Sequence, residues 1–263
     1  MDDVQNQKDT RGITIKQTGV NDVCLPFLIA NENNLQPVQA KICFTVSLSK
    51  DLRGTHMSRL MEILTDWTMK PMSMSGVDII LNEAINKLNT NIAKLKISFK
   101  YFVEREAPVS KKKSLLDLDC FFEGEVIDEQ RNFILGVEIP LTTLCPCSKE
   151  ISNFGAHNQR SVCKVQLKFD NLNNIISIEE LAKIIETQAS SPIYSVLKRE
   201  DEKFVTEAAY QNPKFVEDIL RDVIIAIRKI SGVKKFSVEC ENFESIHNHN
   251  AFAYHEEDLS NNS

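Results

Sequence analysis

Residues 94–104 read KLKISFKYFVE, and this stretch decides the fold. Leu95, Ile97, Phe99, Tyr101 and Val103 fall on one side of an extended chain, with Lys94, Lys96, Ser98 and Lys100 on the other, because successive side chains of a strand point to opposite faces. One wet face and one apolar face mark an antiparallel strand covered on a single side. Upstream, Ile42, Phe44, Val46 and Leu48 alternate with Cys43, Thr45 and Ser47, which makes residues 41–49 the first firm element. Between these strands the period changes. Met57, Leu60, Met61 and Leu64 recur at helical spacing between Thr55 and Trp67; MKPMSMSG then interrupts with Pro71 and Gly76. A second helix carries Val77, Ile80, Leu81, Ala84, Ile85 and Leu88. The methionines at 57, 61, 72 and 74 read as core filling and not as a soft-metal surface.

Outward in the other direction the order repeats. The run EREAPVSKKKSL, residues 104–115, reads as a solvated loop and as the boundary between halves. Strand-like segments at 120–127 and 132–141 follow, and Cys163, Val165, Leu167 and Phe169 alternate along another strand. Ser177 with Glu180 forms a capping box before Leu181, Ile184 and Ile185. Asn212-Pro213 opens what reads as the longest helix, striped by Val216, Ile219, Leu220, Val223, Ile227 and Ile230 and stopped by Ser231-Gly232. Phe236, Val238 and Cys240 mark a final strand. Strand, helix, helix, strand thus occurs twice. The expected class is α+β, with antiparallel sheets in two fused modules, 21–110 and 111–255, a polar arm over 1–20 and a polar tail over 256–263.

Composition narrows the function. With 31 basic against 37 acidic residues and a net charge of −6, the 263-residue chain is a poor candidate for sequence-independent nucleic-acid binding or for an anionic membrane surface. No apolar run approaches the roughly 20 residues that cross a bilayer, and the start, MDDVQNQKDTRG, lacks the features of a signal peptide. The expected location is the cytoplasm. Seven cysteines without a disulfide rhythm agree with a reducing compartment.

The chemistry concentrates at LCPCSKEISNFGAHNQR, residues 144–160, where Cys145, Cys147 and His157 are thiol and imidazole donors suited to zinc or iron. A turn between elements with packed thiols is the plainer alternative. His247 and His249 follow the last strand in ESIHNHNAF, and i, i+2 spacing would put both rings on one face if that strand continued. Such imidazoles bind metals or move protons near neutral pH. In LKREDEKFVTE, Glu202 could complete a Cys/His/carboxylate set with one open position. Glu217 opens the long helix. There it either serves helix electrostatics or accepts paired N–H groups from an amide edge such as that of guanine or a pterin.

Taken together, TTLCPCSKEIS (142–152), GAHNQRS (155–161), LKREDEK (197–203), NPKFVEDILRD (212–222) and ESIHNHNAFA (244–253) closely resemble GTP cyclohydrolases of the type IB family. DTRGITI (9–15) and THMSR (55–59) are similar to that family as well, so the likeness spans about Asp9 to about Tyr254. The resemblance implies the tunnelling fold, a homotetramer with sites at subunit interfaces, and conversion of GTP and water to 7,8-dihydroneopterin triphosphate and formate, the entry to folate. It further implies Cys145, His157 and Glu202 as ligands of one divalent metal, zinc, manganese or iron. Cys147, His247 and His249 would handle protons or assist the nucleophile, and Glu217 would anchor the purine edge. Arg160, Lys198 and Arg199 are triphosphate candidates by their place beside the motifs. The fold also hosts archaeal-type cyclohydrolases that give a cyclic phosphate and NADPH-dependent nitrile reductases. A metal-stabilised binding module without turnover is the alternative from another class.

Overall fold

The computed structural model describes residues 3–31, 34–173 and 175–260. Among these residues the chain forms ten strands and six helices in two compact units.

The first unit comprises Met1–Lys100, Cys120–Leu135 and Phe169–Asn173. It holds β1 (Ile15–Ala30), β2 (Leu35–Leu48), α1 (Met57–Asp66), β3 (Pro71–Met72) and α2 (Met74–Leu88), with segments of β4 (Ile92–Glu106), β5 (Lys113–Ile127) and β6 (Gln130–Leu144). Its strands follow the order β6-β5-β4-β2-β1-β3. Phe27, Ile42, Phe44, Leu95 and Ile97 supply the buried sheet face, and Leu60, Ile63, Val77 and Leu81 supply the helices. β1 overturns the expectation that the first firm element is the strand at Lys41, and it takes up residues 15–20 of the arm expected over 1–20. Its alternation is hidden because the pairing with β2 slips between Ile15 and Thr18 and again between Val20 and Val23, where Asp22 takes a left-handed φ of 57°. Each slip of a period-two pattern reverses the faces, so no single alternation survives along the strand. Gly76 does not break the chain but lies in the first turn of α2, where a Cβ would come within 2.9 Å of the Trp67 ring. Met72 and Met74 are buried as core, whereas Met57 is exposed.

The second unit comprises Tyr101–Asp119, Gly136–Lys168 and Asn174–Ser263. With the remaining parts of β4, β5 and β6 it holds α3 (Pro146–Ile151), β7 (Asn158–Phe169), α4 (Ile178–Glu186), β8 (Ser191–Pro192), α5 (Arg199–Gln211), α6 (Val216–Ile227), β9 (Lys235–Asn242) and β10 (Ala251–Asp258). The order is β4-β5-β6-β7-β9-β10, with β8 on β6. Ser177 caps α4 by accepting the Glu180 N–H at 3.1 Å. α6, at 12 residues, is not the longest helix; α2 has 15, and Ile230 falls in the turn after α6. The loop expected over 104–115 contracts to residues 107–112, because strand pairing extends to Glu106 and resumes at Lys113. β4 and β5 each run through both units, so the division is not a single cut near residue 110.

Each half of the chain therefore reads strand, strand, helix, helix, strand, strand: β1, β2, α1, α2, β4, β5, then β6, β7, α4, α6, β9, β10, with β3 added in the first and α3, β8 and α5 in the second. β10 lies where a polar tail was expected from residue 256, since pairing with β9 continues to Asp258. Its aromatics Phe252 and Tyr254 are on the exposed side, so it shows no ordinary apolar-inward pattern. No helix among the described residues is long and apolar enough to cross a membrane.

Candidate functional site

β6 ends at Leu144, and the chain turns at once into α3. Cys145 is the N-cap: its Sγ accepts the Ser148 N–H at 3.4 Å, and Pro146 fits the first helical position, where no amide hydrogen is needed. The Cys145 N–H donates to the His157 carbonyl at 3.1 Å, and the His157 N–H donates to Ser148 Oγ at 3.3 Å. These bonds bring Cys145 and His157 side by side across the intervening loop. Cys147, two residues into the turn, is exposed.

β9 brings a second group to the same place. The Phe243 N–H donates to the Arg160 carbonyl at 2.9 Å, which fastens the segment after β9 to the start of β7. Ser245 Oγ then lies 3.5 Å and Glu244 Oε2 4.0 Å from His157 Nδ1. Glu244 is a site residue that the sequence reading passed over; its signal was a carboxylate at the head of ESIHNHN. The strand does not continue through His247 and His249, which lie in the loop between β9 and β10. Their rings are nevertheless paired, stacked with centroids 5.2 Å apart and planes at 13°. Both are exposed, as is Arg160.

LKREDEK is the entry to α5, a helix the charge run had concealed. Lys198 is its N-cap and Arg199 its first residue, and Glu202 stands exposed in the first turn. The buried anchor is Asp201, fully shielded from solvent. Its Oδ1 accepts the Val109 and Ser110 N–H groups at 2.8 Å each, and its Oδ2 accepts the Lys198 N–H at 2.9 Å and the Ser110 hydroxyl at 2.5 Å. Burial pushes this carboxyl up, but the Ser110 hydroxyl and the three N–H donors outweigh it and hold the group well below the usual carboxylate range. The far end of α5 reaches α3, since Lys149 Nζ donates to the Tyr210 carbonyl at 2.6 Å. In α6 the capping carboxylate is Asp218, which accepts the Phe215 N–H at 3.0 Å; Glu217 beside it is exposed and has no such duty.

A thiolate and a neutral imidazole suit zinc or iron, and the backbone bond that joins Cys145 to His157 brings one donor of each kind to neighbouring positions. Glu202 does not join them: among the described residues no three His, Cys, Asp or Glu side chains gather closely enough to hold a metal. Elsewhere, the THMSR segment lines a cavity of about 720 Å³ in the first unit with Thr55, His56 and Arg59, together with Lys87, whose carbonyl accepts from Arg59 at 3.0 Å, and Asn89.

Comparison with known proteins shows the family and the fold. Residues 1–253 match the family model described as type I GTP cyclohydrolase folE2. The protein named GTP cyclohydrolase FolE2 of Syntrophotalea carbinolica is 47% identical over 96% of this chain and 94% of its own length. That of Geobacter sulfurreducens is 46% identical over 98% of both chains, and that of Caldicellulosiruptor bescii 44% identical over 99% and 100%. Among solved structures, uricase from Arthrobacter globiformis superposes with a TM-score of 0.59 at 6% identity, covering 94% of each chain. Urate oxidase from Bacillus subtilis superposes with a TM-score of 0.52 at 7% identity over 92% of this chain and 98% of its own. At such identity these two show the fold alone, which is the tunnelling fold.

Proposed function

This chain belongs to the FolE2 family of type I GTP cyclohydrolases, and from that membership we propose that it converts GTP and water to 7,8-dihydroneopterin triphosphate and formate, the first step of folate biosynthesis. The observation that carries the reading is the pairing of Cys145 with His157 by a backbone hydrogen bond, within a chain that is 44–47% identical to the FolE2 relatives over nearly its whole length. Cys145, His157 and Glu202 are the proposed ligands of one zinc, manganese or iron ion. In the monomer Glu202 stands apart from the other two, and a homotetramer with sites at subunit interfaces is the proposed assembly that completes the set. The cytoplasm is the proposed location.

The roles follow from bond chemistry. Opening guanine at C8 needs a nucleophile stronger than free water, and a divalent metal, if held by Cys145, His157 and Glu202, would supply it by bringing the pKa of water to roughly 7. The residues of the chain do the rest. Glu217, exposed and relieved of capping by Asp218, can accept two parallel N–H bonds from the guanine amide edge. Cys147 and His247 with His249, whose rings are stacked, are the proposed groups that deliver a proton to the departing ring nitrogen and take one back as the new ring closes. The triphosphate requires cations; Arg160, Lys198 and Arg199 are the proposed partners, and the cavity bearing His56, Arg59 and Lys87 offers a further basic surface.

The test is GTP turnover with zinc, manganese or iron. A neopterin fluorophore after oxidation, with formate released, supports the proposal. A cyclic phosphate product in the mass spectrum would move the chain to the archaeal-type reaction. No turnover with any of the three metals, together with loss of folding in Cys147→Ala or His249→Ala, would leave a metal-stabilised binding module.

A further inference from the structure

Along β7 the residues Gln159, Ser161, Cys163, Val165 and Leu167 share one buried face. At its start this face is polar where the rest is apolar. Gln159 and Ser161, Thr143 of β6 and Asn242 of β9 are all buried, at 8% exposure or less. Buried polar groups without partners are costly, and these four are joined end to end. Ser161 Oγ donates to Asn242 Oδ1 at 2.7 Å, Thr143 Oγ1 and Ser161 Oγ are 2.9 Å apart, and Gln159 Nε2 donates to Thr143 Oγ1 at 2.9 Å. The chain ends with Gln159 Oε1 3.0 Å from His157 Nδ1.

With the Asn242 and Gln159 amides oriented as the structure has them, the supply of protons sets the direction of the remaining bond. A hydroxyl has one to give. Ser161 gives its proton to Asn242, so Thr143 must be the donor in the Thr143–Ser161 bond, and the Thr143 oxygen is left to accept from the Gln159 amide. Gln159 therefore faces His157 with its carbonyl oxygen, which can only accept. The other neighbours of Nδ1 agree: the Glu244 carboxylate and the Ser245 hydroxyl can both accept.

We propose that Gln159, oriented by Thr143, Ser161 and Asn242, is a positioning residue that fixes His157 with its proton on Nδ1 and leaves Nε2 as a bare donor for a divalent cation. A ligating histidine is commonly held this way by a partner on its other nitrogen, and loss of such a partner weakens metal binding by roughly 10–100-fold. The cation in this inference rests on the reading of His157 as a ligand; the tautomer does not.

The experiment has two arms. In metal-free, 15N-labelled protein, long-range 1H–15N spectra report which imidazole nitrogen carries the proton, with His157 identified by its absence in His157→Gln. The wild type and Gln159→Glu, which keeps an acceptor, are expected to show the Nδ1–H form. Gln159→Leu and Thr143→Val, which break the chain, are expected to lose that preference. In the second arm cobalt(II) affinity is measured by chelator competition, and Gln159→Leu should fall by about 10–100-fold while Gln159→Glu retains most of the affinity. An Nε2–H tautomer in the wild type, or equal losses in the Glu and Leu variants, overturns the proposal. If the wild type shows Nδ1–H yet binds no cobalt, the positioning stands and the ligand reading falls.

Discussion

Replacing Gly124 by alanine tests how tightly the first unit is built. Gly124 lies on β5 against α2, and a Cβ there would sit 2.5 Å from Val77 Cγ1, 2.8 Å from Leu81 Cδ1 and 3.4 Å from Phe133 Cδ1. Carbon atoms in ordinary contact are roughly 3.5–4.0 Å apart, so α2 must yield by about 1 Å. Val77, Leu81 and Phe133 are fully buried, which leaves little room for that. Two effects oppose each other. Restricting the unfolded chain favours alanine by about 0.4–1 kcal/mol, and overpacking costs about 1–3 kcal/mol. Overpacking should win, with a net loss of about 1–2 kcal/mol in denaturant unfolding at fixed protein concentration. Val77→Ala removes the closest methyl, so the Gly124→Ala/Val77→Ala pair should be less destabilised than the sum of the singles, by about 0.5 kcal/mol or more. Metal content should not change, because Cys145 and His157 belong to the other unit. A Gly124→Ala variant as stable as the wild type, or a strictly additive cycle, would refute the packing argument.

Cys145→Ala and Glu202→Ala should each lower metal bound per chain by about tenfold or more while far-UV circular dichroism persists; unchanged metal content in either removes that residue from the ligand set. Asp201→Asn should be destabilised at neutral pH, because an amide nitrogen cannot accept from the Lys198 N–H and the Ser110 hydroxyl. Since the native Asp201 carboxyl is held below its ordinary value, its stabilisation is complete above the unfolded-state pKa of about 3.9 and is lost as pH falls below it. The gap between the variant and the wild type should therefore narrow in acid, and a gap that widens there contradicts the assignment. Thiol alkylation of the native protein should modify the exposed Cys24 and Cys147 first. Cys163 should resist: its sulfur lies 3.6 Å from that of Cys240, and the hydrogen bond between the two buried thiols together with burial pushes its pKa up. Rapid labelling of Cys163 would mean that β7 and β9 open readily. Arg59→Ala should raise the KM for GTP several-fold with a smaller effect on kcat, and an unchanged KM would exclude the cavity around THMSR from substrate binding.

Alternation at 94–104 was enough to identify an antiparallel strand, and the helical periods at 57–64 and 77–88 were enough to identify α1 and α2, because one face of each element is buried and the sequence must show it. The strands at either end carried no such record. β1 slips register twice, and β10 puts its aromatics on the exposed side. The motif residues were legible one by one, since thiols, imidazoles and carboxylates are rare enough to stand out. Their relations were not. Nothing in the order of residues says that the Cys145 amide closes on the His157 carbonyl, that Asp218 relieves Glu217 of capping, or that Asp201 anchors the loop before β5. A polar residue on an inward face looks like a flaw until its partners are known, and Thr143, Gln159, Ser161 and Asn242 lie on three strands that only the folded sheet makes neighbours. Local pattern records which face an element buries; the direction of a hydrogen bond depends on every other group that competes for the same proton.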